Sequence, residues 1–240
     1  MDKKLLLDFI NKYHLNGIIN KVLIESTDTN LHCQFISDTK SLMGDLQMNT
    51  ISFAKKCNVG IYDTTQFIKM LTALDNTIDI IVFEVQDQSI YLELKDENKK
   101  AKFVLSHPDI LPKLPKNINM PSMDLEIEID NEFISNFIKS KNALSDAKIF
   151  TFIEKEGKLQ IVLNYEKNND SINTITFDVG DSIISLNEPI SFNADYMKEI
   201  LVANKSYFNQ GNIYISSKGL MKIVFKSDDY NVEYFLVANA

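Results

Sequence analysis

Four acidic residues at alternate positions, Asp124, Glu126, Glu128 and Asp130, form the densest set of metal-ligating groups in the chain. Carboxylates brought together in this way could bind a divalent cation or act as general acid and base. The residues between them are apolar, and a strand directs alternate side chains to opposite faces, so the four carboxylates are predicted to share one solvent-facing side. A solvated strand face is the favoured interpretation. An enzyme that uses this acidic face for small-molecule chemistry remains an alternative.

Other patterns that carry chemistry are absent from the sequence. It has no P-loop, GxGxxG or HExxH motif, and its 7 glycines leave few positions for phosphate-binding loops. His14, His32 and His107 lack metal-ligand spacing, and Cys33 and Cys57 form no CxxC pair. Both cysteines are predicted to be core residues. We therefore expect a protein that is not an enzyme and has no cofactor and no metal.

All 25 basic residues are lysines, and the net charge is −8. Binding DNA over the outer surface requires positive charge there, which this balance does not provide. Lysines gathered on one inner face could still contact phosphates without reading the base sequence.

The composition also bears on source and location. Abundant asparagine and isoleucine without arginine indicate an AT-rich genome and favour a viral source. No apolar run approaches the roughly 20 residues of a membrane span, and the N-terminus lacks a signal cleavage pattern. A soluble protein is expected in the cytoplasm, that of the infected host cell if the source is viral.

The sequence contains the same unit twice. Residues 89–105 align with residues 220–236, each reading as strand, polar turn and strand, and residues 5–14 align with residues 133–142. Between these matches, Asp63 and Asn193 each follow a strand and precede an apolar helical pattern, so each is predicted to be a helix N-cap. A repeat of this length predicts two similar α+β domains with antiparallel sheets.

A proline-rich segment separates the two copies. Residues 106–121 hold four of the five prolines, which favour extended backbone and remove ladder donors. We predict an interdomain connector here, between an N-terminal domain at residues 1–105 and a C-terminal domain at residues 122–240. The connector carries Ile110, Leu111 and Leu114, which are predicted to lie against a surface groove.

Four amphipathic helices are predicted, at about residues 3–14, 63–75, 131–144 and 194–207. Each has an apolar stripe expected to be buried and lysines on its polar side. The predicted stripes contain Leu5, Leu6, Phe9 and Ile10 on the first helix, Phe133, Ile134, Phe137 and Ile138 on the third, and Met197, Ile200 and Leu201 on the fourth. If the helices line a common surface, their lysines add up to a sequence-independent, salt-sensitive site for DNA phosphates.

Three segments resemble a known family. Residues 127–167 (IEIDNEFISNFIKSKNALSDAKIFTFIEKEGKLQIVLNYEK) and residues 61–80 (IYDTTQFIKMLTALDNTIDI) resemble the sliding clamps of T-even-like tailed phages. The closing segment NVEYFLVAN, residues 231–239, resembles the last strand of clamps related to proliferating cell nuclear antigen. With the repeat and the connector, the resemblance covers nearly the whole chain.

The resemblance implies a processivity factor: a homotrimeric ring that encircles duplex DNA, with helices on the inner face and sheets outside, opened by an ATP-dependent clamp loader to tether the DNA polymerase. The implied DNA-facing residues are Lys4, Lys12, Lys69, Lys139, Lys141, Lys198 and Lys205. The implied partner-peptide pocket consists of Ile110, Leu111, Leu114, Phe235 and Val237. The implied subunit interface joins residues 101–105, with Phe103 and Leu105, to residues 172–179, with Ile175 and Phe177, of the next subunit.

A structural alternative remains open beside the clamp. A homotrimeric phage structural or scaffold protein could also be built from duplicated domains. Retention on circular but not on linear DNA distinguishes the two, because only a ring is lost from free ends.

Overall fold

The computed structural model describes residues 1–115, 120–169, 171–181, 188–206 and 208–239. The chain divides into two compact units. Unit 1 comprises Met1–Lys116 with Ser227–Val232, and unit 2 comprises Asn117–Lys226 with Glu233–Ala240.

Unit 1 contains two helices and two antiparallel sheets. Its elements are α1 (Lys3–His14), β1 (Val22–Ser26), β2 (Leu31–Ile36), β3 (Leu42–Met48), β4 (Cys57–Ile61), α2 (Thr64–Thr72), β5 (Asp79–Val85), β6 (Gln88–Lys95) and β7 (Lys100–Val104). The strands are ordered β4-β1-β2-β3 in one sheet and β5-β6-β7 in the other. Helix α1 packs against α2.

Unit 2 repeats this element order and adds one strand in front. Its elements are β8 (Leu125–Glu128), α3 (Asn131–Ala143), β9 (Ile149–Lys155), β10 (Lys158–Leu163), β11 (Ile175–Asp181), β12 (Ile190–Asn193), α4 (Ala194–Asn204), β13 (Gln210–Ser216), β14 (Leu220–Lys226) and β15 (Tyr230–Val237), whose first residues belong to unit 1. The strand orders are β11-β10-β9-β12 and β15-β14-β13-β8. Helix α3 packs against α4.

Each helix begins at an acidic or amide side chain that satisfies a backbone N–H of the first turn. Asp63 accepts a hydrogen bond from the N–H of Gln66, and Asn193 accepts one from the N–H of Tyr196. Asp2 and Asp130 cap α1 and α3 in the same way. The predicted N-caps of α2 and α4 are therefore confirmed.

The apolar stripes form the core with two differences from prediction. Phe9 and Ile10 of α1 are completely buried, as are Ile200 and Leu201 of α4. Leu5, which was predicted to be buried, is 37% exposed and lines an open groove with Ile51 and Phe53. Ile138 of α3 is only half-buried. Cys33 and Cys57 are buried core residues without a disulfide, as predicted.

Candidate functional site

The helices of unit 1 place two lysines in solvent. Lys4 lies on the first turn of α1 and Lys69 on the last turn of α2, and both side chains are exposed. Neither forms an ion pair with any residue that the structure describes. An exposed ammonium group without a carboxylate partner can contact a phosphate at little desolvation cost.

Lys12, predicted to face solvent, is buried and only 2% exposed. Its Nζ lies 3.0 Å from Asp8 Oδ1 and 4.2 Å from the centre of the Tyr230 ring. Burial lowers the pKa of this ammonium group, while the charge of Asp8 and the hydrogen bond to it act in the opposite direction. The helical period correctly placed Lys12 away from the core stripe, but Tyr230 covers that side. Lys12 therefore makes internal contacts with Asp8 and Tyr230 rather than offering a surface charge.

The helices of unit 2 carry a similar set of lysines. Lys139 on α3 and Lys205 at the C-cap of α4 are exposed, and Lys198 on α4 is half-buried. None of the three pairs with a carboxylate in the described ranges. These side chains are the available cations on the α3 and α4 pair.

Lys141, predicted to be free, is also buried, at 3% exposed. Its Nζ donates to Ser145 O at 2.6 Å and lies 2.9 Å from Asp195 Oδ1, so it joins α3 to α4. Partial burial opposes ionisation of Asp195, but the hydrogen bond and charge of Lys141, aided by Lys148, outweigh it and lower the pKa of this carboxyl group. The expectation that Lys141 lies on the open polar face is wrong, because the acidic side chain of the neighbouring helix draws it inward.

The beginning of the connector is fixed to unit 1 by close backbone contact. Ser106 N–H donates to Gly60 O at 2.9 Å, and the backbone carbonyl of Ser106 lies where a β-carbon of residue 60 would be. Leu111 is buried and packs over Gly60 after a 3-10 turn at Pro108–Ile110. Only glycine allows this approach of the connector to β4.

The other residues of the predicted peptide pocket differ in exposure. Ile110 is 60% exposed and Leu114 is half-buried. On β15, Phe235 is buried with Lys222 Nζ 5.7 Å from its ring centre, while Val237 is exposed. Ile110 and Val237 are thus the two most exposed residues of the predicted peptide pocket.

Strand β7, in the predicted subunit interface, lies at the edge of its sheet and pairs only with β6 in the described part. Phe103 points inward and contacts Phe67, with ring centres 4.8 Å apart. Its neighbour Val104 is 67% exposed, and Leu105 is half-buried.

An apolar groove of about 500 Å³ runs beside β7 and α2. Besides Val104 and Leu105 it is lined by Tyr62, Met70 and Ile110. Sequence reasoning missed Tyr62, Met70 and Val104, although strand alternation about Phe103 predicts that Val104 faces outward.

Strand β11, the other predicted interface segment, is likewise an edge strand, paired with β10. Ile175 and Phe177 are half-buried on its inner side. The Phe177 ring lies 6.4 Å from that of Phe133 and 6.5 Å from that of Phe137, both on α3. The outer edge of β11 pairs with no other described strand, so its backbone groups can bind another strand.

The acidic strand β8 has the predicted alternation, with Leu125 and Ile127 buried and Glu126 exposed. Its carboxylates have structural hydrogen bonds: Ser217 N–H donates to Asp124 at 2.7 Å, and Asn212 Nδ2 donates to Glu126 at 3.0 Å. The bond from Ser217 lowers the pKa of Asp124. No cluster of three potential metal ligands occurs among the described residues.

Comparison with solved structures identifies the fold. A chain in the structure of the C-terminal region of FEN-1 bound to A. fulgidus PCNA superposes with a TM-score of 0.73 at 16% identity, covering 100% of this chain and 97% of that one. Proliferating Cellular Nuclear Antigen from Entamoeba histolytica superposes with a TM-score of 0.67 at 18% identity, with coverage of 100% and 97%. This is the sliding-clamp fold. The predicted α+β architecture of two similar clamp-type domains is confirmed.

The sequence itself gives no such match. No protein-family model and no curated protein matches it. The sliding-clamp fold is therefore recognised here from three-dimensional similarity. In the described part of the chain, no helix is long and apolar enough to cross a membrane.

Proposed function

We propose that this protein is a sliding clamp that encircles duplex DNA and tethers a replicative DNA polymerase to it, without being an enzyme itself. The observation that carries the proposal is the duplicated sliding-clamp fold, in which each unit has a helix pair with exposed lysines that form no ion pair with the described residues. Lys4 and Lys69 supply these charges in unit 1. Lys139 and Lys205 supply them in unit 2, and the half-buried Lys198 adds a third cation there.

The proposed DNA contact is weak and independent of sequence. Lysine meets phosphate as a point charge, and the chain has no arginine for bidentate contacts. A ring is retained by topology, so low contact affinity lets it slide. Salt should weaken the contact steeply, with log K falling by about 0.9 for each phosphate contacted when the salt concentration increases tenfold.

The proposed assembly is a closed homotrimer formed head to tail. The edge strands β7 and β11 each leave one side unpaired among the described strands, and pairing them between subunits satisfies both edges. The groove beside β7, with Val104 and Tyr62 exposed, would take apolar side chains from the adjacent subunit. Heterologous contacts of this kind close into a ring when the rotation permits.

The proposed partners bind through short apolar peptides. One of the similar structures contains a C-terminal region of FEN-1 bound to a PCNA. By analogy, we propose that the polymerase and an ATP-dependent loader insert hydrophobic tails at the connector, at a site that includes Ile110, Leu114, Phe235 and Val237. Leu111, which is buried against Gly60, would hold the connector in place there. A phage source remains part of the proposal, supported by the resemblance of residues 127–167.

The decisive experiment measures retention on DNA of two topologies. Protein is assembled at high concentration on nicked circular plasmid and on the same plasmid made linear, then passed through a sizing column at high salt. We expect retention on the circle alone, and release when the circle is cut by a restriction enzyme. Equal retention on both forms, or a particle with the 27.5 kDa mass of a single chain, would refute the clamp.

Charge reversals locate the DNA contact. Lys139→Glu with Lys205→Glu should weaken binding of the assembled trimer to a short linear duplex at low salt, and should lower the salt dependence of that binding. Lys155→Glu with Lys167→Glu is the matched control, because it makes the same change in charge at two exposed residues that lie outside the helices. Equal losses in both variants would place the DNA elsewhere.

A further inference from the structure

The two repeated units differ by one strand. In unit 2, β8 precedes α3 and pairs with β13, covering the edge of its sheet. In unit 1, α1 begins at Lys3, and β5, the counterpart of β13, has no described strand on its outer side. Only an isolated bridge between Asp2 and Thr77 occupies the corresponding position.

Backbone groups of β5 point to this open edge. The Met1 ammonium group donates to Ile78 O at 2.8 Å, and Ile78 N–H donates to Met1 O at 3.1 Å. Alternate residues of a strand direct their N–H and C=O to the same side, so Ile80 and Val82 point the way Ile78 does. No hydrogen bond to these groups is present from the described residues.

The corresponding groups in unit 2 are paired. Ile129 N–H donates to Gly211 O at 2.8 Å, as the Met1 ammonium group does to Ile78. Farther along, Asp124 N–H donates to Ile215 O at 2.8 Å. Strand β8 thus shows how a segment can pair with such an edge: its apolar side chains point inward and its polar side chains point outward.

A groove of about 480 Å³ accompanies the open edge. Leu5, Ile51 and Phe53 line its apolar part, and Leu5 is exposed, whereas its counterpart Phe133 in unit 2 is 7% exposed. The charged groups in the lining are the carboxylates of Asp2 and Asp79 and the Met1 ammonium group, which is already hydrogen-bonded to Ile78 O, so negative charge is in excess by one. The groove therefore complements a segment that is both apolar and basic.

We propose that the open edge of β5 is a second peptide-binding site, which takes an extended segment of a partner protein as a fourth strand. Alternate apolar side chains of that segment enter the groove over Leu5 and Phe53, and lysine or arginine side chains lie near Asp79 and Asp2. Main-chain hydrogen bonds to Ile80 and Val82 supply the register. This site is separate from the connector and goes beyond the proposed clamp activity.

The test uses a defined probe, the synthetic peptide KVKIKVK, with fluorescence anisotropy for binding and amide hydrogen exchange for its location. We expect saturable binding below about 1 mM and slower exchange in the segment that contains Ile80 and Val82. The peptide EVEIEVE should bind at least about tenfold more weakly, because it meets the acidic lining with like charge. Absence of saturable binding refutes the site, and equal binding of both peptides refutes a basic partner.

Two changes, one in the protein and one in the peptide, distinguish strand addition from nonspecific binding. Ile80→Pro removes the outward N–H at an edge position where proline is tolerated, and should weaken binding at least about tenfold. A KVKIKVK peptide whose backbone nitrogens facing β5 are methylated should bind equally weakly. This second test uses the unmodified protein, so it remains valid if Ile80→Pro does not fold. Undiminished binding in either experiment overturns the proposal. Concentration-dependent protection of Ile80 and Val82 without peptide would overturn it in favour of a second copy of the chain.

Discussion

Lys141 joins α3 to α4 through the backbone of Ser145 and the carboxylate of Asp195. An ammonium group that is almost fully enclosed is tolerated only with such partners. Asp195 also lies within 3.5 Å of Lys148 and is partly solvated, so it keeps a partner if Lys141 is lost. The contribution of the Lys141 contacts is therefore moderate.

Replacing Lys141 with methionine should lower the free energy of unfolding by about 1–2 kcal/mol, because the carbonyl of Ser145 loses its charged donor. Affinity for a short linear duplex at low salt should not change. Lys139→Met is the matched control on the same helix: it should leave stability within about 0.5 kcal/mol and weaken duplex binding at low salt. Urea unfolding and a low-salt duplex titration measure the two quantities. A loss of duplex affinity in assembled Lys141→Met would return this residue to the DNA face.

His32 gives the β4-β1-β2-β3 sheet of unit 1 a pH-dependent contact. Its Nε2 lies 3.1 Å from Asp45 and its Nδ1 lies 3.3 Å from Glu25. The hydrogen bond that His32 donates to Asp45 is the largest cause that raises the pKa of His32 above its ordinary value. The folded state thus binds the proton more tightly than the unfolded state does, and this adds stability at low pH.

The contribution of His32 is fully present below the unfolded pKa of about 6.5 and is lost as pH rises through the raised folded value. The stability difference between the natural protein and His32→Gln should therefore shrink from about 1 kcal/mol toward zero as pH increases. Urea midpoints of both proteins across this range test the sign. Comparing the two removes the opposite trend expected of His14, whose pKa is lowered by burial. A difference that grows with pH would contradict the assignment.

At the scale of single residues, sequence reasoning found the exposed lysines but not the buried ones. The helical period of α1 and α3 separates the core stripe from the remaining faces, and it correctly excludes Lys12 and Lys141 from the stripe. Residues distant in sequence cover those faces: Tyr230 contacts Lys12, and Asp195 contacts Lys141. Such long-range contacts leave no signal in local spacing.

At the scale of elements, the connector depends on one position in β4. A β-carbon at residue 60 would collide with the backbone carbonyl of Ser106 and crowd Leu111. Gly60→Ala should therefore displace the beginning of the connector and lower the thermal midpoint by several degrees, for a cost of about 1–3 kcal/mol. It should also weaken binding of apolar partner peptides.

Gly157→Ala provides a contrast, because no atom lies within 4 Å of its β-carbon position and only its backbone conformation is strained. Its thermal midpoint should fall, because alanine is strained at the positive φ of residue 157, but peptide binding at the connector should be unchanged. Normal peptide binding by Gly60→Ala would show that the connector does not shape the site.

Element order and helix caps were predictable because their signals are local. Asx residues before apolar helical patterns gave the starts of α2 and α4, and alternation gave the faces of β8. The missing counterpart of β8 in unit 1 was not predicted. Leu5 fits the buried stripe by spacing alone, but it lines an open groove, whereas its counterpart Phe133 is covered by Phe177 of β11.

At the scale of the whole molecule, the proposed ring depends on the edge of β7. Val104→Glu places a charge on an exposed apolar side chain, so it should leave the chain folded while converting the proposed trimer to monomers. Light scattering measures the mass, and circular dichroism verifies the fold. Val104→Thr keeps the shape of the side chain and should retain the trimer. A trimer that persists in Val104→Glu would place the interface elsewhere.

The two enclosed lysines also give the protein an internal standard for chemical labelling. Because every basic side chain is a lysine, one amine-acetylating reagent reaches the entire cationic surface. Lys12 and Lys141 should resist acetylation as long as the chain is folded, so their modification reports unfolding in the same mass spectrum. A lysine that becomes unreactive when DNA is added, while these two stay unmodified throughout, marks the contact surface without a single substitution.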